Sequence, residues 1–329
     1  MSVNQDRPGS LFLETGGEVM GTTWSAKVAG HYGDAASVVA GLGEAVHDVD
    51  ARMSTYKEDS EISRFGRAPA DTPFEVSADT LKVVADALRI AGITRGAFDP
   101  TIMPLVDLWG FGPAPTPAAA PNAEAIATAL ANCGYGKITM RSGGGRSVLQ
   151  KSDAALRLDL SAIAKGHGVD ALAAVLEEAG AAHFLVEIGG ELRAKGVTND
   201  GSPWMVGIEA PRFDQGPGRP LQAAVALQDL AIATSGDYRN YRVLDGKRYS
   251  HTLDPRTGYP VEHDLASVTI LAPTCRQADA WATACMVLGA ESALAVIEGQ
   301  EDVECFLLVR TGEDYVGKRS SGFPELQYP

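Results

Sequence analysis

Two groups of residues have the types and spacing to handle a phosphorylated ligand. The first lies in Ala278-Asp279-Ala280-Trp281-Ala282-Thr283. Asp279 and Thr283 stand at i and i+4, so on a helix both side-chain oxygens point to one side. A carboxylate and a hydroxyl are hard ligands of the kind Mg²⁺ takes. The same spacing also describes a helix-start Asp with a Thr bonding back to a carbonyl, and spacing alone favours that plainer reading. The second group is Leu158-Asp159-Leu160-Ser161-Ala162-Ile163-Ala164-Lys165-Gly166, a strand-like run ending in a polar turn before a helix. Free N–H groups at a helix start suit a phosphate. Lys165 supplies a point charge for a diphosphate, and Asp159 a partner for a ligand hydroxyl or ring nitrogen. Equally, Asp159 reads as a helix cap and Lys165 as a surface lysine.

Two small-residue segments follow short strands: Ala233-Thr234-Ser235-Gly236-Asp237-Tyr238 and the run from Ser250 to Gly258. Backbone groups can approach a ligand closely at such turns. His251, near Asp254, has the type of a general base for a hydroxyl nucleophile, although a lone His is more often structural. In the front half stand Met20-Gly21-Thr22-Thr23, Met53-Ser54-Thr55-Tyr56, Ser60-Glu61-Ile62-Ser63 and Gly96-Ala97-Phe98-Asp99-Pro100-Thr101. Tyr56 can stack on an aromatic ring. Asp99 precedes Pro, which places it in an extended or turn geometry suited to capping or binding. Trp109 and Phe111 read as packing residues.

Helices and strands must hold these groups in place. A strand is expected from Thr23 to Val28. Val38, Leu42, Val46, Val49 and Met53 recur at three- and four-residue spacing, the stripe of an amphipathic helix. A second helix is expected over Ser77–Ala91, with Leu81, Val84 and Leu88 inward. Residues 112–122 (GPAPTPAAAPN) read as an exposed loop and a candidate subdomain boundary, followed by a helix over Ala123–Ala131. Strands are expected at Ser147–Gln150, Leu156–Leu160, His183–Ile188, Leu192–Gly196, Trp204–Glu209, Leu221–Leu227, Ala266–Leu271 and Glu304–Val309. Further helices are expected over Ala162–Ala179 and Ala278–Leu288. Gly189-Gly190 reads as a hairpin turn, and Gly143-Gly144-Gly145 as a turn. The order points to α+β with mixed, largely antiparallel sheets and flanking helices. Residues 1–15 are expected as a flexible segment, and 16–329 as a single catalytic domain.

Composition narrows the classes. The chain has 329 residues, 45% hydrophobic and 21% charged, enough for a sizeable core. Its net charge of −14 argues against a nucleic-acid or anionic-membrane surface. No apolar run approaches the ~20 residues that span a bilayer. Met1–Ser10 is polar and lacks a signal-peptide core, so the expectation is a cytoplasmic protein or one whose export signal was removed. The sequence has no GxGxxG, GxxxxGK[ST], GxSxG or HExxH pattern. Its four cysteines form no CxxC and are expected to be buried free thiols.

Together the motifs resemble the ApbE family of FAD:protein FMN transferases. The resemblance runs from Met20 to about Gly289 on six ordered motifs: MGTTW, MSTYKEDSEISRF, GAFDPTIMPLVDLWGFG, LDLSAIAKGHGVD, ATSGDYRN…YSHTLDPRTGYP and ADAWATACMVLG. It implies an ApbE-like fold with an FAD site between subdomains. It also implies Mg²⁺-dependent transfer of FMN from FAD to a Thr or Ser hydroxyl through a phosphoester bond, with AMP leaving. An FAD pyrophosphatase giving FMN and AMP, or a non-catalytic FAD-binding protein, are the alternatives. Diphosphate cleavage needs a metal against the developing charge and a base near the acceptor hydroxyl. FAD here is a substrate, so the missing Rossmann fingerprint is no contradiction.

By resemblance, Asp279, Thr283 and the Ala162 carbonyl hold the metal. Met20, Tyr56, Ala97, Phe98, Asp99, Asp159 and Lys165 contact FAD, Leu253 through its backbone. Lys165 helps hold the diphosphate, and His251 assists the acceptor hydroxyl. The acceptor implied is a flavoprotein with a Thr-containing flavinylation motif, in a membrane respiratory complex of the ion-pumping NADH:quinone type or, for the NosX-type branch, in nitrous-oxide reduction. No nucleic acid is implied. Glu187 stands where relatives often have Asn, Glu191 where they have Asp, and His167 where Tyr is common. Many relatives are exported lipoproteins, which implies a periplasmic or exported location, although no lipidation cysteine lies near the start of this sequence.

Overall fold

In a computed structural model of the chain, residues 12–211, 221–237, 241–312 and 314–328 are described. Of the segment 1–15, residues 1–11 thus lie outside the described residues, while the rest enters the first strand. β1 (Phe12–Val19) and β2 (Thr22–Ala29) form a hairpin turned by Met20 and Gly21, both at positive φ. A two-residue hairpin needs that backbone, and a methionine adopts it at some cost. α1 (Ala35–Met53) is capped by Asp34 and buries Val38, Leu42, Val46, Val49 and Met53, the stripe legible in sequence. Next come α2 (Glu61–Arg67), β3 (Phe74–Val76), α3 (Ala78–Ile93), α4 (Met103–Leu108) and α5 (Ala123–Ala131). On α3, Val84 is buried, while Leu81 and Leu88 pack half-buried against the same core. Residues 112–122 hold no helix or strand, and the Ala120 N–H donates to the Asp245 carboxylate.

β4 (Ile138–Gly143) and β5 (Arg146–Lys151) turn at Gly144-Gly145 and join β3 in a three-stranded sheet. α6 (Ser161–Glu178) leads to β6 (His183–Ile188) and β7 (Glu191–Lys195), a hairpin closed by Gly189-Gly190 at positive φ. β8 (Trp204–Glu209) pairs with β9 (Leu221–Leu227), and β10 (Ala231–Gly236) follows. β11 (Tyr241–Leu244) and β12 (Lys247–Ser250) form a separate hairpin. The chain continues through β13 (Leu265–Ala272), α7 (Cys275–Leu288), α8 (Ala290–Ile297), β14 (Glu304–Thr311) and β15 (Asp314–Arg319).

The main sheet has eight strands in the order β1-β2-β6-β7-β10-β13-β14-β15, every neighbouring pair antiparallel. Helices α1, α3, α6 and α7 cover one face through two apolar clusters. A third cluster, with Trp204, Val206, Leu227, Phe306 and Phe323, puts the β8–β9 pair on the other. β13, buried at every residue, is the centre of this three-layer α+β arrangement. All four cysteines are buried and free.

Two expectations need correction. Leu156–Leu160 is no strand; only Arg157 makes an isolated bridge, to Ile102. Its backbone is satisfied otherwise. The buried Lys151 ammonium donates to the carbonyls of Gly66, Ala154 and Leu156, and the Asp159 N–H donates to the Pro100 carbonyl. Conversely, Ala233–Gly236 is strand rather than turn, because it ladders with β13. Among the described residues, no helix is long and apolar enough to cross a membrane.

Candidate active site

A cavity of about 370 Å³ opens where the start of α6, the middle of α7, the end of β10 and the loop after β12 meet. Its walls include Tyr56, Ala97, Phe98, Asp99, Asp159, Ala162, Lys165, His251, Leu253, Asp279 and Thr283. Met20 lies instead on an adjoining cavity of about 530 Å³, which shares Thr55, Tyr56, Ser161 and Lys165 with the first. The residues singled out in sequence therefore converge on one continuous space.

The junction of α6 and α7 sets the chemistry at one end. Asp170 on α6 accepts the N–H groups of Cys275 (2.9 Å) and Arg276 (3.0 Å), which seats the start of α7. A Cβ at Gly166 would collide with the Cys275 carbonyl, so only glycine lets the helices approach this closely. The Gly166 N–H donates across the gap to Asp279 Oδ2 at 2.9 Å. The regular helical acceptor of that donor is the Ala162 carbonyl, so the carboxylate competes for it at the very turn where Ala162 faces the cavity. One turn on, Thr283 Oγ1 is 3.4 Å from Ser235 Oγ of β10.

Lys165 is not a surface lysine. Its Nζ lies 2.6 Å from Glu191 Oε1 and 3.6 Å from Asp279 Oδ1. Burial alone would lower its pKa, but the Asp279 and Glu191 carboxylates outweigh that and the net shift is upward. Burial raises Glu191, against the pull of Lys165 and with the push of Asp279. Glu191 Oε2 is buried and has no partner.

The opposite walls are built by local turns. Asp159 Oδ1 accepts the Ser161 N–H (2.8 Å) and hydroxyl (2.5 Å), and burial raises its pKa. It thus orders the entry to α6, whose N-cap Leu160 supplies no side-chain bond. Asp99 is committed to the wall on both oxygens. Oδ1 accepts the Thr101 N–H and hydroxyl, and Oδ2 the Tyr135 N–H, while burial raises its pKa. Ala97 and Phe98 are buried beside it, and Tyr56 is 68% exposed at the rim.

His251 follows β12 and meets Phe111 edge to face at 6.4 Å. The expected partnership with Asp254 does not form on the carboxylate. Arg256 occupies both oxygens, Nε to Oδ1 at 2.9 Å and Nη2 to Oδ2 at 2.8 Å. Trp109 donates from Nε1 to the Gly258 carbonyl at 2.9 Å, so it packs the loop in place, as its type suggests. Leu253 is buried and bridges to Pro260. Of the ATSGDYRN run, Tyr238, Arg239 and Asn240 lie outside the described residues.

Three contributors escape a reading by motif role: Glu191, Ser235 and Asp170. The signal available for Glu191 is its place directly after the Gly189-Gly190 turn. Asp170 closes the LDLSAIAKGHGVD motif, and Ser235 sits inside ATSGD. Among the described residues, no group of three or more His, Cys, Asp or Glu is arranged to hold a metal. The donor set here is one carboxylate, one hydroxyl and one carbonyl, a hard oxygen set that leaves positions for water or phosphate, as Mg²⁺ sites commonly do.

The ApbE family model matches residues 20–307. The chain is 43% identical over 323 residues to the FAD:protein FMN transferase of Haemophilus influenzae, covering 95% of this chain and 91% of that one. It superposes on the flavin transferase ApbE from Vibrio cholerae with a TM-score of 0.86 at 40% identity, covering 95% of this chain and 98% of that one. On the apo form of Pseudomonas stutzeri flavinyl transferase ApbE the TM-score is 0.84 at 37% identity, with 95% of each chain covered.

Proposed function

The chain belongs to the ApbE family, and on that premise we propose that it transfers FMN from FAD to a hydroxyl of an acceptor flavoprotein. The observation that carries the reading to residues is the single cavity in which Asp279, Thr283 and Lys165 stand at one end and His251 lines the same space.

Asp279, Thr283 and the Ala162 carbonyl are the residues that would hold a Mg²⁺. When bound, it supplies positive charge against the diphosphate of FAD. Their hard-oxygen chemistry supports this, as does the close approach of α6 and α7 that sets Asp279 beside Ala162. Lys165 adds a second fixed positive charge at that end. Tyr56, Ala97 and Phe98 give the apolar and aromatic walls that a flavin ring needs. The wall turns at Asp99 and Asp159, and the backbone at Leu253, fix the shape of the space around it. Met20 extends it into the adjoining cavity. His251 receives the proton of the acceptor hydroxyl as its oxygen bonds to the phosphorus of FMN and the bond to the phosphate of AMP breaks. On the family pattern, the acceptor carries the reacting Thr in a flavinylation motif, belongs to a membrane respiratory complex, and is met on the exported side.

The test is the intact mass of an acceptor domain incubated with the protein, FAD and Mg²⁺. We expect a gain of one FMN that is lost with EDTA. Asp279→Ala should slow transfer by at least about 100-fold, because the charge stabilisation a metal supplies is worth several kcal/mol. Full transfer by that variant would sink the metal assignment. Free FMN and AMP with no mass gain would point to hydrolysis instead.

A further inference from the structure

One buried carboxylate in the cavity has no task in the scheme above. Glu191, at the start of β7, is 6% exposed. Its Oε1 takes the Lys165 ammonium at 2.6 Å, while Oε2 has no partner. The same ammonium is 3.6 Å from Asp279 Oδ1. One positive charge therefore stands between carboxylates from two different elements, seated on Glu191 and reaching toward Asp279.

The two oxygens of Asp279 are not equivalent. Oδ2 is held by the Gly166 N–H, so Oδ1 is the oxygen left for a cation. It is Oδ1 that Lys165 approaches. An ammonium seated there would compete with a metal for the same lone pairs and repel it at short range. We propose that Glu191 is a positioning residue that holds Lys165 off Asp279 Oδ1, keeping that oxygen open to a divalent cation. The inference rests on the metal reading given above. Removing the Glu191 charge would release Lys165 onto Asp279 Oδ1.

A double-mutant cycle separates these effects. Mg²⁺ is titrated calorimetrically into the full chain, without FAD, for wild type, Glu191→Gln, Lys165→Gln and the double variant. Glu191→Gln is expected to weaken Mg²⁺ binding on the order of tenfold, and Lys165→Gln to tighten it. In the Lys165→Gln background, Glu191→Gln should change affinity by less than about threefold, because no ammonium remains to be held. Glu191→Asp keeps the carboxylate and should retain affinity within about threefold of wild type, a rescue that a packing role would not give. The double variant removes both paired charges at once, so it leaves no unpaired charge behind even if one single variant folds poorly. Equal losses in both backgrounds would overturn the proposal and make Glu191 a direct ligand or a plain contributor of field. An unchanged Glu191→Gln also overturns it. A wild-type protein that binds no Mg²⁺ overturns the metal reading itself, a result distinct from the other two.

Discussion

At the residue scale, His251 and Asp254 show how far neighbourhood in sequence predicts partnership. They stand three positions apart, and the pairing is natural on paper. The structure gives Asp254 to Arg256 instead, through a two-point contact that also caps the Arg256 N–H. A planar guanidinium matches a carboxylate at both oxygens, and an imidazole cannot. The pH dependence of transfer therefore should not run through Asp254. Asp254→Asn is expected to leave the shape of the pH–rate profile unaltered, whereas His251→Asn should lower the transfer rate by about 10² to 10⁴ with FAD affinity retained. Rates measured across pH with acceptor saturating, beside equilibrium FAD binding, decide it; an apparent pKa displaced in Asp254→Asn would restore the His–Asp pair. Most residues of the site were legible because the motifs carry them in local runs. Glu191 was visible as a departure from family usage and as the residue directly after the Gly189-Gly190 turn. Its partner Lys165 is on another element, and no spacing rule links a strand residue to a helix residue across a fold.

At the element scale, the position of α7 decides where Asp279 and Thr283 point. That position depends on Asp170, which binds the first N–H groups of α7 and faces Arg193 at 3.3 Å. Arg276, the second residue of α7, pairs with Asp86 of α3 at 2.5 Å and lies 3.9 Å from Asp170. Three elements are thus bolted to the start of one helix. Asp170→Ala leaves two backbone donors and a largely buried guanidinium short of a partner, which costs about 3–5 kcal/mol. Denaturant unfolding should show that loss, and the FMN-transfer rate of the folded fraction should fall as α7 shifts. A loss below about 1 kcal/mol would mean that the N-cap Thr274, whose hydroxyl accepts the Gln277 N–H, and Asp86 alone seat the helix. Amphipathic helices such as α1 and α3 were readable because one face is buried and the other is wet. β13 was readable from an apolar and β-branched run, LASVTILA, interrupted only by Ser267 and Thr269. β11, β12 and β15 were not: YRVL, KRYS and DYVGKR lie at edges or in a lone hairpin, with mixed polarity and mostly exposed residues that give no clean alternation. Leu156–Leu160 misled for the opposite reason. It has the alternation of a strand, but its backbone is spent elsewhere: the Leu156 carbonyl on the buried Lys151, the Asp159 N–H on Pro100 and the Leu160 carbonyl on the first turn of α6.

At the scale of the whole molecule, acidity becomes a question of stability. The chain carries 42 acidic residues against 28 basic ones, and several carboxylates set wholly or partly into the fold, Asp99, Asp159 and Asp170 among them, have raised pKa values through desolvation. A carboxyl raised in the folded state binds its proton more readily there than when unfolded, so those groups lose stability as pH rises through their folded values and gain it on acidification. His167 acts the other way. It lies 6% exposed on α6, its Nδ1 has no partner, and burial, aided by the Arg276 charge, pushes it down to about 4. The unfolded chain protonates this imidazole near 6.5, the folded one only near 4. Between those values the unfolded state binds more protons, so the contribution of His167 is intact above about 6.5 and is lost as pH falls toward 4. The full swing is about 3 kcal/mol. His167→Gln keeps a polar group of similar reach and removes the titration. Plotted as the difference from wild type, unfolding free energy should therefore converge toward the variant by up to that amount on going from pH 7 to pH 4, while the carboxylate contributions, common to both proteins, cancel. A flat difference curve would mean that the folded imidazole takes up its proton where the unfolded one does, near 6.5, with the Asp79 charge offsetting its burial.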